Sequence, residues 1–156
     1  MIVVADTSPI NYLVLIERIG ILPRLYGRVL IPPAVFDELS HRAAPTAVRE
    51  WTQHHPAWLE VLSPKNPAAF ARLDPGESQA IALAIEMRAG LVLIDDLAGR
   101  QEATRRGLKV AGTLSVLDEA GQTGLLKFDD AIDRLRKTSF RVSDAVLAEI
   151  DRKRSR

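Results

Sequence analysis

Two fully apolar runs, Ile2-Val3-Val4-Ala5 and Leu91-Val92-Leu93-Ile94, each lead straight into acid: Asp6 after the first, Asp95 and Asp96 after the second. A strand with no polar alternation is covered on both faces, which is how strands of a parallel sheet flanked by helices read. Ligands of such sheets bind beyond the carboxyl ends of the strands. If the two strands are parallel, these acids therefore share one edge of the sheet.

The rest of the chain fits that scheme. Further strands are predicted at 29–31, 58–62 (an edge) and 108–110, the first spanning 2–5 and the fourth 91–94. Helices are predicted at 9–16, with Ser8 as N-cap and Pro9 in first position, and at 21–26, 33–39, 45–54 and 67–73. A longer one, at 76–89, carries the stripe Ala80, Ile81, Ala84 and Ile85 and ends at Gly90. Others follow at 97–106, closed by Gly107, and at 113–120, 128–137 and 143–153. Strands alternating with helices give an α/β class with a mostly parallel sheet. The 156 residues suit a single domain, placed at 1–150, with a basic tail at 151–156 that frays.

Composition excludes more than it selects. There are no cysteines, so neither a disulfide framework nor a thiolate metal site is available, and a reducing cytoplasm is the expected setting. The N-terminus lacks the basic and long apolar regions of a signal peptide, and no apolar run approaches the roughly 20 residues that span a bilayer. A net charge of +1 leaves any attraction to phosphate to local patches. Neither a P-loop nor a dinucleotide fingerprint is present. A haloacid-dehalogenase-like phosphatase needs a second Asp where this chain has Ser8, and a receiver domain needs its acidic pair early rather than late.

Two more acids lie in awkward places. Glu77 falls near the apolar stripe of the 76–89 helix, and Glu38 flanks the stripe made by Val35 and Leu39. Each acid also has an ordinary use. Asp6 suits a turn or cap, Asp74 and Glu77 match a capping box, Asp95 or Asp96 suits the cap of the next helix, and Glu38 suits a solvated face. The set is harder to explain that way. Carboxylates gathered in a low-dielectric pocket repel unless something positive holds them, and Mg²⁺ or Mn²⁺ suits an all-oxygen donor set. His41, His54 and His55 sit in polar stretches and offer no rival cluster. Arg100, one turn into the helix after the acidic pair, is the candidate contact for a phosphate. Arg105, Arg106 and Lys109 lie nearby, where a helix C-terminus also favours positive charge.

Taken in order, four motifs resemble those of PIN domains. They are Val4-Ala5-Asp6-Thr7-Ser8-Pro9, Pro33-Ala34-Val35-Phe36-Asp37-Glu38-Leu39, Leu73-Asp74-Pro75-Gly76-Glu77, and Leu93-Ile94-Asp95-Asp96-Leu97-Ala98-Gly99-Arg100 with Gly107 and Gly112-Thr113 behind it. The set is similar to a prokaryotic subgroup related to VapC toxins, and the resemblance runs from Ile2 to about Arg141. It implies a three-layer α/β/α fold and a Mg²⁺- or Mn²⁺-dependent endoribonuclease leaving 5′-phosphate and 3′-hydroxyl ends. It also implies homodimerisation and often a small antitoxin partner. The apolar 13–25 region is a candidate dimer surface. Carried over, the catalytic acids are Asp6, Glu38, Glu77 and Asp95 or Asp96, with metal on Asp6, Glu77 and Asp95 or Asp96. Thr7 or Ser8 matches the hydroxyl that supports the first acid and the substrate. One departure is Glu77, a Glu where many PIN toxins carry Asp. A catalytically inactive binding module of the same fold is the alternative.

Overall fold

The computed structural model describes residues 1–154. Five strands, β1 (Val3–Ala5), β2 (Val29–Ile31), β3 (Leu59–Val61), β4 (Leu91–Leu93) and β5 (Val110–Ala111), form one sheet in the order β3-β2-β1-β4-β5. Every pairing is parallel, with Val3 opposite Val29 on one side and Leu91 on the other. The chain builds outward from β1 to β3, then crosses to the far side of β1 for β4. Strand order therefore reverses between β1 and β4, the place where open α/β sheets make their ligand crevice.

Successive strand side chains point to opposite faces. Val3, Ala5, Val29, Ile31 and Leu93 join one core. Their neighbours Val4, Leu30, Val92 and Ile94 join the other. The first core is covered by α1 (Thr7–Leu15), α2 (Ile21–Tyr26), α3 (Pro33–Ser40), α4 (Thr46–Gln53), α7 (Thr113–Gln122), α8 (Phe128–Arg136) and α9 (Asp144–Arg154). The second is covered by α5 (Pro75–Glu86), through Ala80, Leu83 and Ala84. With α6 (Leu97–Arg105), the result is the three-layer α/β/α arrangement expected from apolar strands. No helix among the described residues is long and apolar enough to cross a membrane.

Several local expectations change. Helix α1 starts at Thr7, so its N-cap is Asp6, in extended backbone, rather than Ser8. Residues 67–73 form no helix. Just before this stretch the Lys65 and Asn66 amides bond the Glu86 carboxylate of α5, and within it the Phe70 amide bonds Ser78 Oγ of the same helix at 3.2 Å rather than a helical carbonyl. Helix α5 ends before Gly90, with Arg88 taking the left-handed turn at φ 50°; Gly90 instead donates its amide to Ile2 at 2.8 Å. Its buried stripe includes Leu83, while Ile85 is exposed. The apolar 13–25 region closes the chain's own core, because Leu13, Ile16, Ile21 and Leu22 are all buried. Ile19 and Leu25 of the same region remain partly exposed. The basic tail is helical as far as Arg154, whose guanidinium bonds Asp118 and stacks 4.2 Å from the centre of the Phe128 ring. Ser155 and Arg156 lie outside the described residues.

Candidate functional site

At the carboxyl edge of the sheet an open cleft of about 890 Å³ is lined by six acids: Asp6, Glu38, Asp74, Glu77, Asp95 and Asp96. Each arrives by a short local argument. Asp6 ends β1, its amide bonded to Leu93 of β4 at 2.8 Å, which ties the two strand ends together. Glu38 comes from α3. Asp74 and Glu77 form a reciprocal capping box at the start of α5: the Glu77 amide donates to Asp74 Oδ1 at 2.8 Å, and the Asp74 amide donates to Glu77 Oε2 at 3.2 Å. Asp96 caps α6 through the Gly99 amide at 3.1 Å. Thus three helices, α1, α5 and α6, point acid-bearing N-termini at one place. The positive ends of their dipoles offset part of the crowded negative charge.

Asp95 and Asp96, left equivalent by sequence, differ here. Both oxygens of Asp95 accept: Oδ1 from the Thr113 amide, and Oδ2 from the hydroxyls of Thr113 and Ser8, each at 2.7 Å. This carboxylate therefore locks α1 to α7 across the strand ends. Asp96 uses only one oxygen on its cap. The Thr7 hydroxyl donates to Glu38 Oε2. Thr7 and Ser8, adjacent in sequence, thus hold two different acids.

Gly76 and Gly112 make room. A Cβ on Gly76 would come within 2.6 Å of Glu38 Oε1, and one on Gly112 within 2.9 Å of Asp95 Oδ1. The same Cβ on Gly112 would meet the Arg100 guanidinium at 2.8 Å. Arg100 does not line the cleft. Arg105 and Arg106 pair with Glu102 on their own helix.

Burial pushes Asp6 up to about 8; the Thr7 amide opposes this, and the charges of Asp74, Glu77 and Glu38 add to it. Burial likewise raises Glu77 to about 7, against the Asp74 amide, with Asp74, Asp96 and Glu38 adding repulsion. Glu38 is raised for the same leading reason, with the Thr7 hydroxyl and the Gly76 amide resisting. Asp6 is only 5% exposed. Yet among the described residues none of the six acids takes part in an ion pair.

A set of oxygen donors, with Asp6 and Glu77 buried and the others around them nearer solvent, mutually repelling and, among the described residues, without a paired side-chain cation, fits a hard divalent ion. Among the described residues no three of these groups already converge on a single point. The electrostatic cluster is Asp6, Glu77, Asp74, Glu38 and Asp96, whereas Asp95 is committed to hydrogen bonds.

Sequence reading assigned Asp74 only to a cap and did not find Asn11, Tyr12, Phe140 or Arg141, all of which line the cleft. A signal existed for the first two. Asn11 and Tyr12 lie one helical turn beyond Thr7 and Ser8 and so share their side of α1.

A family model described as DUF3368, PIN domain, matches residues 2–156. No protein of curated function matches the chain. Among solved structures it is similar to a PilT N-terminus domain protein from the hyperthermophilic archaeon Sulfolobus solfataricus P2. The TM-score is 0.54 at 17% identity, covering 77% of this chain and 93% of that one. It is also similar to the PIN domain endonuclease Utp24, with a TM-score of 0.52 at 18% identity, covering 71% of this chain and 84% of that one. These likenesses match the fold.

Proposed function

Because the chain belongs to the PIN-domain family DUF3368, we propose that it is a Mg²⁺- or Mn²⁺-dependent endoribonuclease of the VapC-related kind, acting in the cytoplasm as the toxin of a toxin–antitoxin pair. The observation that carries this is the acid cluster at the strand-order reversal, in which Asp6, Glu38 and Glu77 are raised in pKa and, among the described residues, no acid is paired with a cationic side chain. Homodimerisation and an antitoxin partner belong to the same reading.

A cleft lined by six carboxylates repels a phosphodiester, so the acids alone cannot bind one. A divalent cation held by Asp6, Glu77 and Asp96 would reverse that sign, lower the pKa of a water and offset charge on the phosphate oxygens. Burial keeps Asp6 from spending its charge on solvent, which strengthens its hold on a cation. Glu38, fastened by Thr7 and Gly76, forms the wall beside Asp6 and orients water there. Asp95 keeps the two strand ends and the N-terminus of α7 in register, so the ligating acids are presented by rigid elements.

The test is cleavage of an end-labelled structured RNA by purified protein with Mg²⁺, Mn²⁺ or chelator, beside Asp6→Asn and Glu77→Gln. Cation-dependent cutting lost in both variants supports the reading. A folded, partner-free wild type that neither cuts nor binds either ion overturns it in favour of a binding module.

A further inference from the structure

Arg100, the residue expected from sequence to meet a phosphate, turns instead against Gly112. The basic side chain that does line the acidic cleft is Arg141. A guanidinium near so many carboxylates would ordinarily be consumed by one of them. Arg141 is not: it takes part in none of the ion pairs among the described residues, and it is exposed.

The backbone leading to it is nevertheless held in place. The chain leaving α8 turns sharply, with the Thr138 hydroxyl donating to the Leu135 carbonyl at 2.6 Å and accepting the Phe140 amide at 3.2 Å. The turn is fastened to α1 twice. Tyr12 and Ser139 share a hydroxyl–hydroxyl bond of 2.8 Å, and the Tyr12 and Phe140 rings meet edge to face at 5.0 Å. Helix α1 is the element whose first turn carries Thr7 and Ser8, so the same rigid body holds the acids at one end and this turn one helical turn later. A braced loop that delivers an uncommitted guanidinium to the cleft has the form of an anion clamp.

We propose that Arg141 binds the substrate backbone, gripping a phosphate adjacent to the one that is cut, and that Tyr12, Ser139 and Phe140 form the brace that aims it. This rests on the nuclease reading. The scissile phosphate belongs among the carboxylates and their cation. Arg141 serves a neighbouring phosphate, which anchors the strand without taking part in the chemistry.

The test is steady-state cleavage of a labelled single-stranded RNA by the full chain with Mg²⁺ or Mn²⁺, at several KCl concentrations, for wild type, Arg141→Ala and Arg141→Lys. Loss of one charge-assisted contact raises KM about tenfold to a hundredfold in Arg141→Ala, with kcat nearly unchanged. The slope of log KM against log salt falls by about 0.7, the loss of one phosphate contact to a single strand. Arg141→Lys restores the salt slope and part of the KM, since it keeps the charge but not the two-pronged geometry. Melting curves of all three proteins confirm folding. Wild-type cutting with KM and salt slope unchanged in Arg141→Ala overturns the clamp and leaves the nuclease intact. A fall in kcat alone that Lys does not rescue assigns Arg141 a structural role and likewise overturns it. A folded wild type that cuts no RNA overturns the nuclease reading itself.

Discussion

Replacing Asp6 by Asn should stabilise the cation-free protein at neutral to alkaline pH, by an amount that follows from its position. The carboxyl group has its pKa lifted from 3.8 to about 8, chiefly by burial. Every tenfold change in the protonation equilibrium is worth ~1.4 kcal/mol, so the full bias against the charged form is ~6 kcal/mol. Water entry and side-chain movement on ionisation relieve part of it, leaving ~3 kcal/mol. The sign follows from proton counting. Between the unfolded value and the folded one, the folded state holds the proton and the unfolded state has lost it, so unfolding free energy falls as pH rises. The contribution is fully present below about pH 4 and is lost as pH climbs through about 8. Asn is neutral throughout, nearly isosteric, and still accepts the Thr7 amide. Urea unfolding in chelator should therefore show wild type losing ~3 kcal/mol more than Asp6→Asn between about pH 5 and about pH 8, the variant keeping only the loss that Glu77 and Glu38, also raised by burial, contribute. The two proteins should agree within ~1 kcal/mol at the acid end. Adding Mg²⁺ or Mn²⁺ at a hundred times its dissociation constant restores ~2.7 kcal/mol to wild type and nothing to the variant. A wild type whose stability in chelator is flat across that range, or a variant that loses as much as wild type across it, refutes the buried-carboxylate reasoning.

Three further outcomes are expected. Gly76→Ala forces the Glu38 carboxylate aside, since the new methyl would lie 2.6 Å from its oxygen; RNA cleavage should fall about tenfold or more while the melting temperature barely moves, because Ala favours the helix by ~1 kcal/mol over Gly. Thr113→Val removes a fully buried hydroxyl that donates to Asp95, and urea titration should register a loss of ~1.5–3 kcal/mol, more than for Ser8→Ala, whose site is only half-buried. Leu117→Ala, at a side chain with no exposure in the larger core, should cost ~2–5 kcal/mol in the same titration without changing cation affinity of whatever remains folded.

What the sequence determined by itself is what one or two adjacent elements dictate. Unbroken apolar runs at the first and fourth strands required cover on both faces, and the fold supplies that cover around a parallel sheet. The Asp-Pro-Gly-Glu capping box was readable because both partners lie within one turn. Acids placed directly after apolar strands were readable as site candidates because parallel sheets bring strand ends to one edge. The helix expected at 67–73 was not fixed locally: the Phe70 amide found a hydroxyl partner on α5, and the residues just before the segment are tied to the Glu86 carboxylate of the same helix, a competition no local pattern reveals. The difference in hydrogen bonding between Asp95 and Asp96 likewise comes from a helix that starts at residue 113, whose amide and hydroxyl reach back to Asp95. That Arg141 rather than Arg100 lines the cleft has the same cause. Arg100 has the shorter distance in sequence, but the direction of a side chain depends on what its helix packs against, and only tertiary structure brings the turn after α8 onto α1.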